Sequence, residues 1–173
     1  IESRYVGRDP QSGTGVSSPL VEPDGSNSIV FVPRANARLS PADIEAAAPA
    51  LEATDALLFQ LETPTSASVR AAQIAREAGA TVVLNPAPAR HIPDPLWALC
   101  DVLVPNEIEA AMLSGCRAED PLGGARVLLD RGTQAVVVTL GEQGALLVTS
   151  RIGERFPAHQ VEVIDSVAAG DAF

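Results

Sequence analysis

From residue 56 onward, short apolar runs alternate with stretches whose apolar positions recur every three or four residues. Residues 56–61, 81–84 and 102–104 predict strands, with helical stretches over 67–78 and 96–100 between them. In the first of these helices Ala71, Ile74, Ala75 and Ala78 fall at i, i+3, i+4 and i+7, while Arg70, Gln73, Arg76 and Glu77 fill the other face. That stripe predicts one buried face, and Gly79 ends the helix. Beyond Asn106 the pattern predicts helices through Met112 and over 124–129, and strands at 134–139, 145–148 and 161–164. Strand and helix in this order specify an α/β fold built on a parallel sheet, Rossmann-like and sandwiched by helices.

The first forty residues read differently. Gly13-Thr14-Gly15 and Pro23-Asp24-Gly25 flank runs at 16–21 and 28–32, which predict a hairpin. Pro19 and the Ser17-Ser18 pair demote its first strand to an edge. Two helix starts carry their own chemistry, because Ser40-Pro41 and Asp94-Pro95 each offer an N-cap followed by proline at the first helical position. Pro49 is expected to kink or end the helix begun at Ser40.

With 46% hydrophobic and 20% charged residues, the 173-residue chain can bury a core and is not of the disordered class. A net charge of -10 argues against nucleic-acid and anionic-membrane surfaces, so small-molecule partners are expected. All 12 basic residues are arginine, and no GxxxxGK[ST] string occurs. A phosphate site must therefore use Mg²⁺, arginine or backbone N–H groups, although GC-rich codon usage is the simpler cause of the missing lysine. Cys100 and Cys116 form no metal or disulfide pattern and fit a reducing, cytoplasmic compartment. No apolar run is long enough to span a membrane, and a chain opening on Ile1-Glu2-Ser3-Arg4 suggests a cut or internal start.

Four strings can carry chemistry. Asp165-Ser166-Val167-Ala168-Ala169-Gly170-Asp171 follows an expected strand and opens an expected helix. Its small residues let backbone N–H groups approach an anion, and Asp171 can take a proton from an attacking hydroxyl. A strand-to-helix turn with a capping Asp explains the same residues. Asn106 and Glu109, at i and i+3, can hold hydrated Mg²⁺ or form a capping box. Thr139-Leu140-Gly141-Glu142-Gln143-Gly144 joins two strands, either as a nucleotide platform or as a plain hairpin turn. Glu62 ends a strand on the same expected edge as Asp171, where a carboxylate can bind sugar hydroxyls or simply face water. His91, His159, Trp97, Phe59 and Phe31 have no partner pattern and default to packing.

Five strings stand together in one order: Leu58-Phe59-Gln60-Leu61-Glu62, Leu84-Asn85-Pro86-Ala87-Pro88-Ala89, Leu103-Val104-Pro105-Asn106-Glu107 with Glu109-Ala110, Thr139-Leu140-Gly141 with Gly144, and 165–173. In this order they resemble the ribokinase branch of the carbohydrate-kinase superfamily, over nearly the whole chain. The resemblance implies a partial β lid and connecting strands at 1–38 and an α/β kinase core at 39–173. It implies ATP-dependent phosphorylation of a sugar hydroxyl, D-ribose at O5 foremost. Asp171 is then the catalytic base, with Ala168, Ala169 and Gly170 forming the anion hole and Glu62 and Asp171 binding the sugar. Asn106, Thr139, Leu140, Gly141, Glu142, Gln143, Gly144 and Gly170 fall at nucleotide positions. Glu109 acts on Mg²⁺ through water, and Asp165 and Val167 match a K⁺ site.

Ser166 stands where the family has Thr, Ala168 where many members have Gly, and Arg34 where a Gly is usual; Ser17-Ser18-Pro19 replace apolar lid residues. The family's N-terminal Gly-Gly and Gly-Ala-Asn motifs and its C-terminal region are expected outside this sequence, and the complete protein is expected to be a homodimer. A kinase for another sugar or nucleoside and a noncatalytic remnant stand beside the ribokinase reading. A nicotinamide dehydrogenase is disfavoured by the missing fingerprint.

Overall fold

The computed structural model describes residues 3–21, 27–161 and 169–173. The expected hairpin is present as β1 (Val16–Val21) and β2 (Asn27–Val32), paired antiparallel in a two-stranded sheet of their own. Pro19 sits opposite Ile29 without breaking the register, which a two-stranded sheet permits because each strand has a free side. A 3₁₀ turn at Arg34–Arg38 follows, and its first residue has φ 44°, a left-handed conformation that disfavours any side chain. Arginine therefore occupies this glycine-favouring backbone position.

The helix begun at Ser40 is split. Ser40 caps α1 (Pro41–Ala46) through a reciprocal box with Asp43, and α2 (Ala48–Leu51) restarts around Pro49. Hydrogen bonds from Ser40 hold the Asp43 carboxyl below its ordinary pKa. The body is a six-stranded sheet in sequence order: β3 (Ala56–Phe59), β4 (Thr81–Leu84), β5 (Val102–Leu103), β6 (Ala135–Thr139), β7 (Ala145–Thr149) and β8 (Gly153–Phe156). The first four run parallel, joined by α3 (Thr65–Glu77), α4 (Asp94–Leu99), and the pair α5 (Glu107–Ser114) and α6 (Pro121–Leu129). β7 and β8 add antiparallel, so the sheet is mixed but parallel-dominated. The pattern did not predict β8, whose four residues are all exposed and so lack the apolar alternation that marks a strand. Val161 lies outside any strand, and the rest of the expected 161–164 strand falls outside the described residues.

The core lies where the alternation put it. Val82 and Leu84 of β4, Leu103 of β5, Val136 and Val138 of β6, and Leu146 and Val148 of β7 pack with Ala72, Leu96, Trp97 and Leu128 from the helices. Ala71, Ile74 and Ala75 are buried as the stripe requires, but Ala78 is exposed, since α3 ends at Glu77 and Ala78 is only its C-cap; Gly79 takes φ 88° just beyond. One start differs from expectation. The N-cap of α4 is Pro93, so Asp94 is already helical and makes no cap bond; it pairs with Arg131 instead, whose guanidinium lies over the Trp97 ring.

At the amino-terminal edge, the Asp101 carboxylate joins three elements. It accepts from the Val82 N–H (2.9 Å), the Gln134 side-chain amide (2.7 Å) and the Arg76 guanidinium (3.1 Å), and Arg76 also donates to the Leu99 carbonyl. Asp101 is 13% exposed, so water replaces these bonds poorly. Asp101→Ala should lower unfolding free energy by about 2–3 kcal/mol in urea titration. A change within roughly 0.5 kcal/mol would reduce this knot to surface decoration.

Candidate active site

Because β3 to β6 are parallel, their carboxyl ends share one edge, and the chain leaves each strand there into a loop carrying candidate residues. Glu62 follows β3, Asn85 follows β4, Asn106 follows β5, and Thr139 closes β6. The ladder also continues past the strands. Asn85 N–H donates to the Phe59 carbonyl (3.0 Å), Val104 N–H to Leu84 (2.8 Å) and Thr139 N–H to Pro105 (2.9 Å). Asn106 and Thr139 form a parallel bridge of their own, which sets these two candidate nucleotide residues side by side.

Asn106 and Glu109 make both bonds of a capping box: Glu109 N–H donates to Asn106 Oδ1 (2.8 Å), and Asn106 N–H donates to Glu109 Oε2 (2.9 Å). The plainer of their two readings is therefore realised. One Glu109 oxygen remains outside the box. Among the described residues, no group of three or more His, Cys, Asp or Glu side chains can hold a metal ion. Burial raises the Glu109 pKa above its ordinary value, against the lowering effect of the Asn106 hydrogen bond.

In the loop after β6, Gly141–Gln143 form a 3₁₀ turn closed by Gln143 N–H to Leu140 and Gly144 N–H to Gly141 carbonyls. Leu140 is buried, Glu142 is exposed, and Gln143 accepts a long bond (3.4 Å) from Arg155. Gln143, Arg155, Glu107 and Glu119 line a cleft of about 330 Å³ beside this loop. The two glycines play different parts. Gly141 (φ 55°) has open space where a side chain would project, so a ligand can approach its backbone. Gly144 (φ 90°) faces Phe156, whose carbonyl oxygen a Cβ would overlap, with Ala158 N only 2.7 Å away. It is glycine because β8 passes there.

Glu62 is exposed at the end of β3, and the neighbouring Thr63 borders a cleft of about 420 Å³ with Asp9, Asn36, Arg38 and Asp43. Arg38 pairs with Asp9, whose pKa is lowered chiefly by the Gln11 N–H bond. Ala169, Gly170 and Asp171 fall in α7 (Ala169–Ala172). Asp165, Val167 and Ala168 lie outside the described residues. Residues that local pattern did not single out also shape the edge: Asn85 Nδ2 donates to the Val104 carbonyl (2.6 Å), and Arg90 Nη2 to the Thr63 carbonyl (2.6 Å). The Asn-Pro-Ala-Pro-Ala string was their only signal. Cys100 is free and buried, its pKa pushed up to about 12 by desolvation, so it is inert at neutral pH.

The chain that carries this sheet edge matches a known family. Residues 1–173 fit the model of the pfkB family of carbohydrate kinases, and the chain belongs to that family. It is 36% identical over 176 residues to the ribokinase of Staphylococcus aureus (strain COL), covering 100% of this chain and 58% of that protein. It is 38% identical over 177 residues to a deoxyribokinase of Salmonella typhi, again covering 100% and 58%. The structure of Arabidopsis thaliana ribokinase complexed with ribose and ATP aligns with TM-score 0.79 at 27% identity, covering 92% of this chain and 54% of that one. The chain thus spans a little over half the length of these relatives.

The geometry yields two expectations. Gly144→Ala should cost about 3 kcal/mol or prevent folding, while Gly141→Ala should cost about 1 kcal/mol, both by urea titration. Equal costs would discard the distinction. Glu109, whose folded pKa is raised above 4.5, holds its proton more tightly when folded, so its ionisation subtracts stability as pH rises through and above that value. Relative to Glu109→Gln, which keeps an acceptor for the cap, the wild type should lose stability as pH rises from the ordinary carboxylate range to the raised folded pKa, and no further above it. The opposite sign would show that the cap bond outweighs burial.

Proposed function

We propose that this chain carries the greater part of the catalytic apparatus of an ATP-dependent sugar kinase whose foremost substrate is D-ribose, phosphorylated at O5. The supporting observation is the convergence of Glu62, Asn106, Thr139 and Gly141 on the carboxyl edge of one parallel ladder, in a chain of the pfkB family. In this reading the β1–β2 hairpin is the lid, residues 1–38 its partial lid segment, and 39–173 the kinase core. Glu62 accepts hydrogen bonds from sugar hydroxyls. Asn106, Thr139 and the 140–144 turn receive the nucleotide, with the open backbone of Gly141 as the surface of approach.

The chemistry then needs one proton transfer and one displacement. Asp171 takes the proton of the attacking hydroxyl, the oxygen attacks the γ-phosphorus, and ADP leaves with the electron pair of the broken P–O bond. Backbone N–H groups of 168–170 bind the anionic oxygens of the transferring group. Mg²⁺, reached by Glu109 through water, offsets phosphate charge when bound, and K⁺ at Asp165 and Val167 is an activating ion. A homodimer and a cytoplasmic location complete the reading; the two free cysteines fit the reducing compartment. Among the described residues no helix is long and apolar enough to cross a membrane.

A second substrate stands close, because identity to the deoxyribokinase equals or exceeds that to the ribokinase. Comparing kcat/KM for D-ribose and 2-deoxy-D-ribose in the full-length protein separates the two. In the same assay, ADP release with ATP, Mg²⁺ and K⁺, Asp171→Asn should lower kcat by about 10²–10⁴-fold with sugar KM little changed. A near-wild-type kcat would remove Asp171 from its role, and absence of sugar-dependent ADP release by the wild type would overturn the kinase reading.

A further inference from the structure

Among the described residues, the Glu62 carboxylate has no hydrogen-bond or ion-pair partner within the protein, so its own contacts do not aim it. Its position comes from the backbone on either side. Before it, Leu61 is 2% exposed, and its N–H donates to the Ala87 carbonyl at 2.9 Å. After it, the Thr63 carbonyl accepts from Arg90 Nη2 at 2.6 Å, and Thr63 Oγ1 lies 3.3 Å from Ser68 Oγ. The first and second of these tethers come from the loop after β4, which therefore grips the loop after β3 on both sides of one exposed acid. Thr63 also borders the cleft shared with Asp9, Asn36 and Arg38, so the gripped segment forms one wall of an open space.

The two tethers differ in kind. The Leu61 bond is buried and belongs to the packing of the sheet edge. The Arg90 bond is exposed and reaches across 27 residues from a long, rotamer-rich side chain. An exposed bond of this sort adds little to global stability, since water competes for both partners. It does fix the carbonyl direction at Thr63, and with it the peptide that leads out of Glu62. A guanidinium bond to a carbonyl is charge-assisted and directional, suited to holding a backbone in place. Small misplacements of a substrate-binding group are costly to a reaction that depends on position.

We propose that Arg90 is a positioning residue for the sugar-binding carboxylate, acting through the Thr63 carbonyl on the placement of Glu62. This rests on the reading of Glu62 as the sugar contact and adds the residue that presents it. Arg90 touches neither sugar nor nucleotide in this scheme. Its loss loosens one end of the Gln60–Pro64 segment, the carboxylate samples more directions, and sugar binding weakens while the nucleotide side, built on β5 and β6, is unaffected.

The test is steady-state kinetics on the full-length protein with D-ribose and ATP varied separately, for wild type, Arg90→Gln, Arg90→Lys, Glu62→Gln and the double variant Arg90→Gln/Glu62→Gln, with thermal unfolding of each. Arg90→Gln should raise the KM for ribose on the order of tenfold, with the KM for ATP and the unfolding midpoint nearly unchanged. Arg90→Lys, which retains a cationic donor, should recover most of the loss. In the Glu62→Gln background the Arg90→Gln effect should vanish, because a residue acting through Glu62 has nothing left to act on. The proposal falls if Arg90→Gln leaves the ribose KM unchanged while Glu62→Gln raises it. It also falls if Arg90→Gln weakens ribose equally with and without Glu62, which would make Arg90 a direct ligand, or if both KM values and the unfolding midpoint move together. If Glu62→Gln itself leaves the ribose KM unchanged, the sugar-contact reading fails, and the positioning role with it.

Discussion

Hydrogen bonding between the parallel strands does not stop where β3, β4 and β5 stop. The first residue after β4 and the first after β5 each donate a backbone N–H to the neighbouring strand, Asn85 to Phe59 and Val104 to Leu84, and Thr139 at the end of β6 donates to Pro105 in the loop after β5. A parallel ladder has evenly spaced bonds and one direction, so extending it carries three loops outward in step and keeps them at the same height. The Asn106–Thr139 bridge is the last rung. The loops at this edge are held by this continuation together with one buried side chain or more in each, Leu61 after β3, Pro86 and Ile92 after β4, Pro105 after β5 and Leu140 after β6.

Electrostatics is organised around the same frame. With an excess of ten negative charges the chain is an unpromising receptor for a polyanion. Yet many of its carboxylates are already occupied. Asp43, Glu109 and Asp120 accept helix-start N–H groups, Asp101 accepts three donors, and Asp9, Glu45 and Asp94 face arginines. Glu62 and the open Gly141 backbone stand apart from that arrangement, one able to accept hydrogen bonds from hydroxyls and the other accessible to a ligand.

What could be read from sequence follows from the range of each interaction. The stripe of α3, the alternation of β6, the cap at Ser40, the box at Asn106 and the stop at Gly79 are settled within one or two turns of chain, and each was legible; the reciprocal bond from Asp43 to the Ser40 cap was not singled out. The resemblance supplied the site residues as a set, because their order along the chain is itself information. The Asp101 knot was not legible, since its partners lie 19, 25 and 33 residues away and only the folded sheet brings them to one carboxylate. Arg90 was hidden for the same reason. Gly144 was legible as a glycine but not as a steric necessity, because the backbone it meets belongs to β8, a strand without apolar alternation. Asp94 was misjudged as a cap because proline at the following position fits either the first or the second helical residue, and local sequence does not choose between them.

The Asp101 knot sits at the amino-terminal edge, the opposite end of the sheet from Glu62, Asn106 and Thr139. Fastening and recognition are thus separated by the full length of the strands. Substitutions in the loops of the far edge can alter what that edge presents without loosening the clasp that keeps β4, β5 and β6 in register. A scaffold divided in this way is free to diversify: descendants can remodel one edge while inheriting an unchanged anchor at the other.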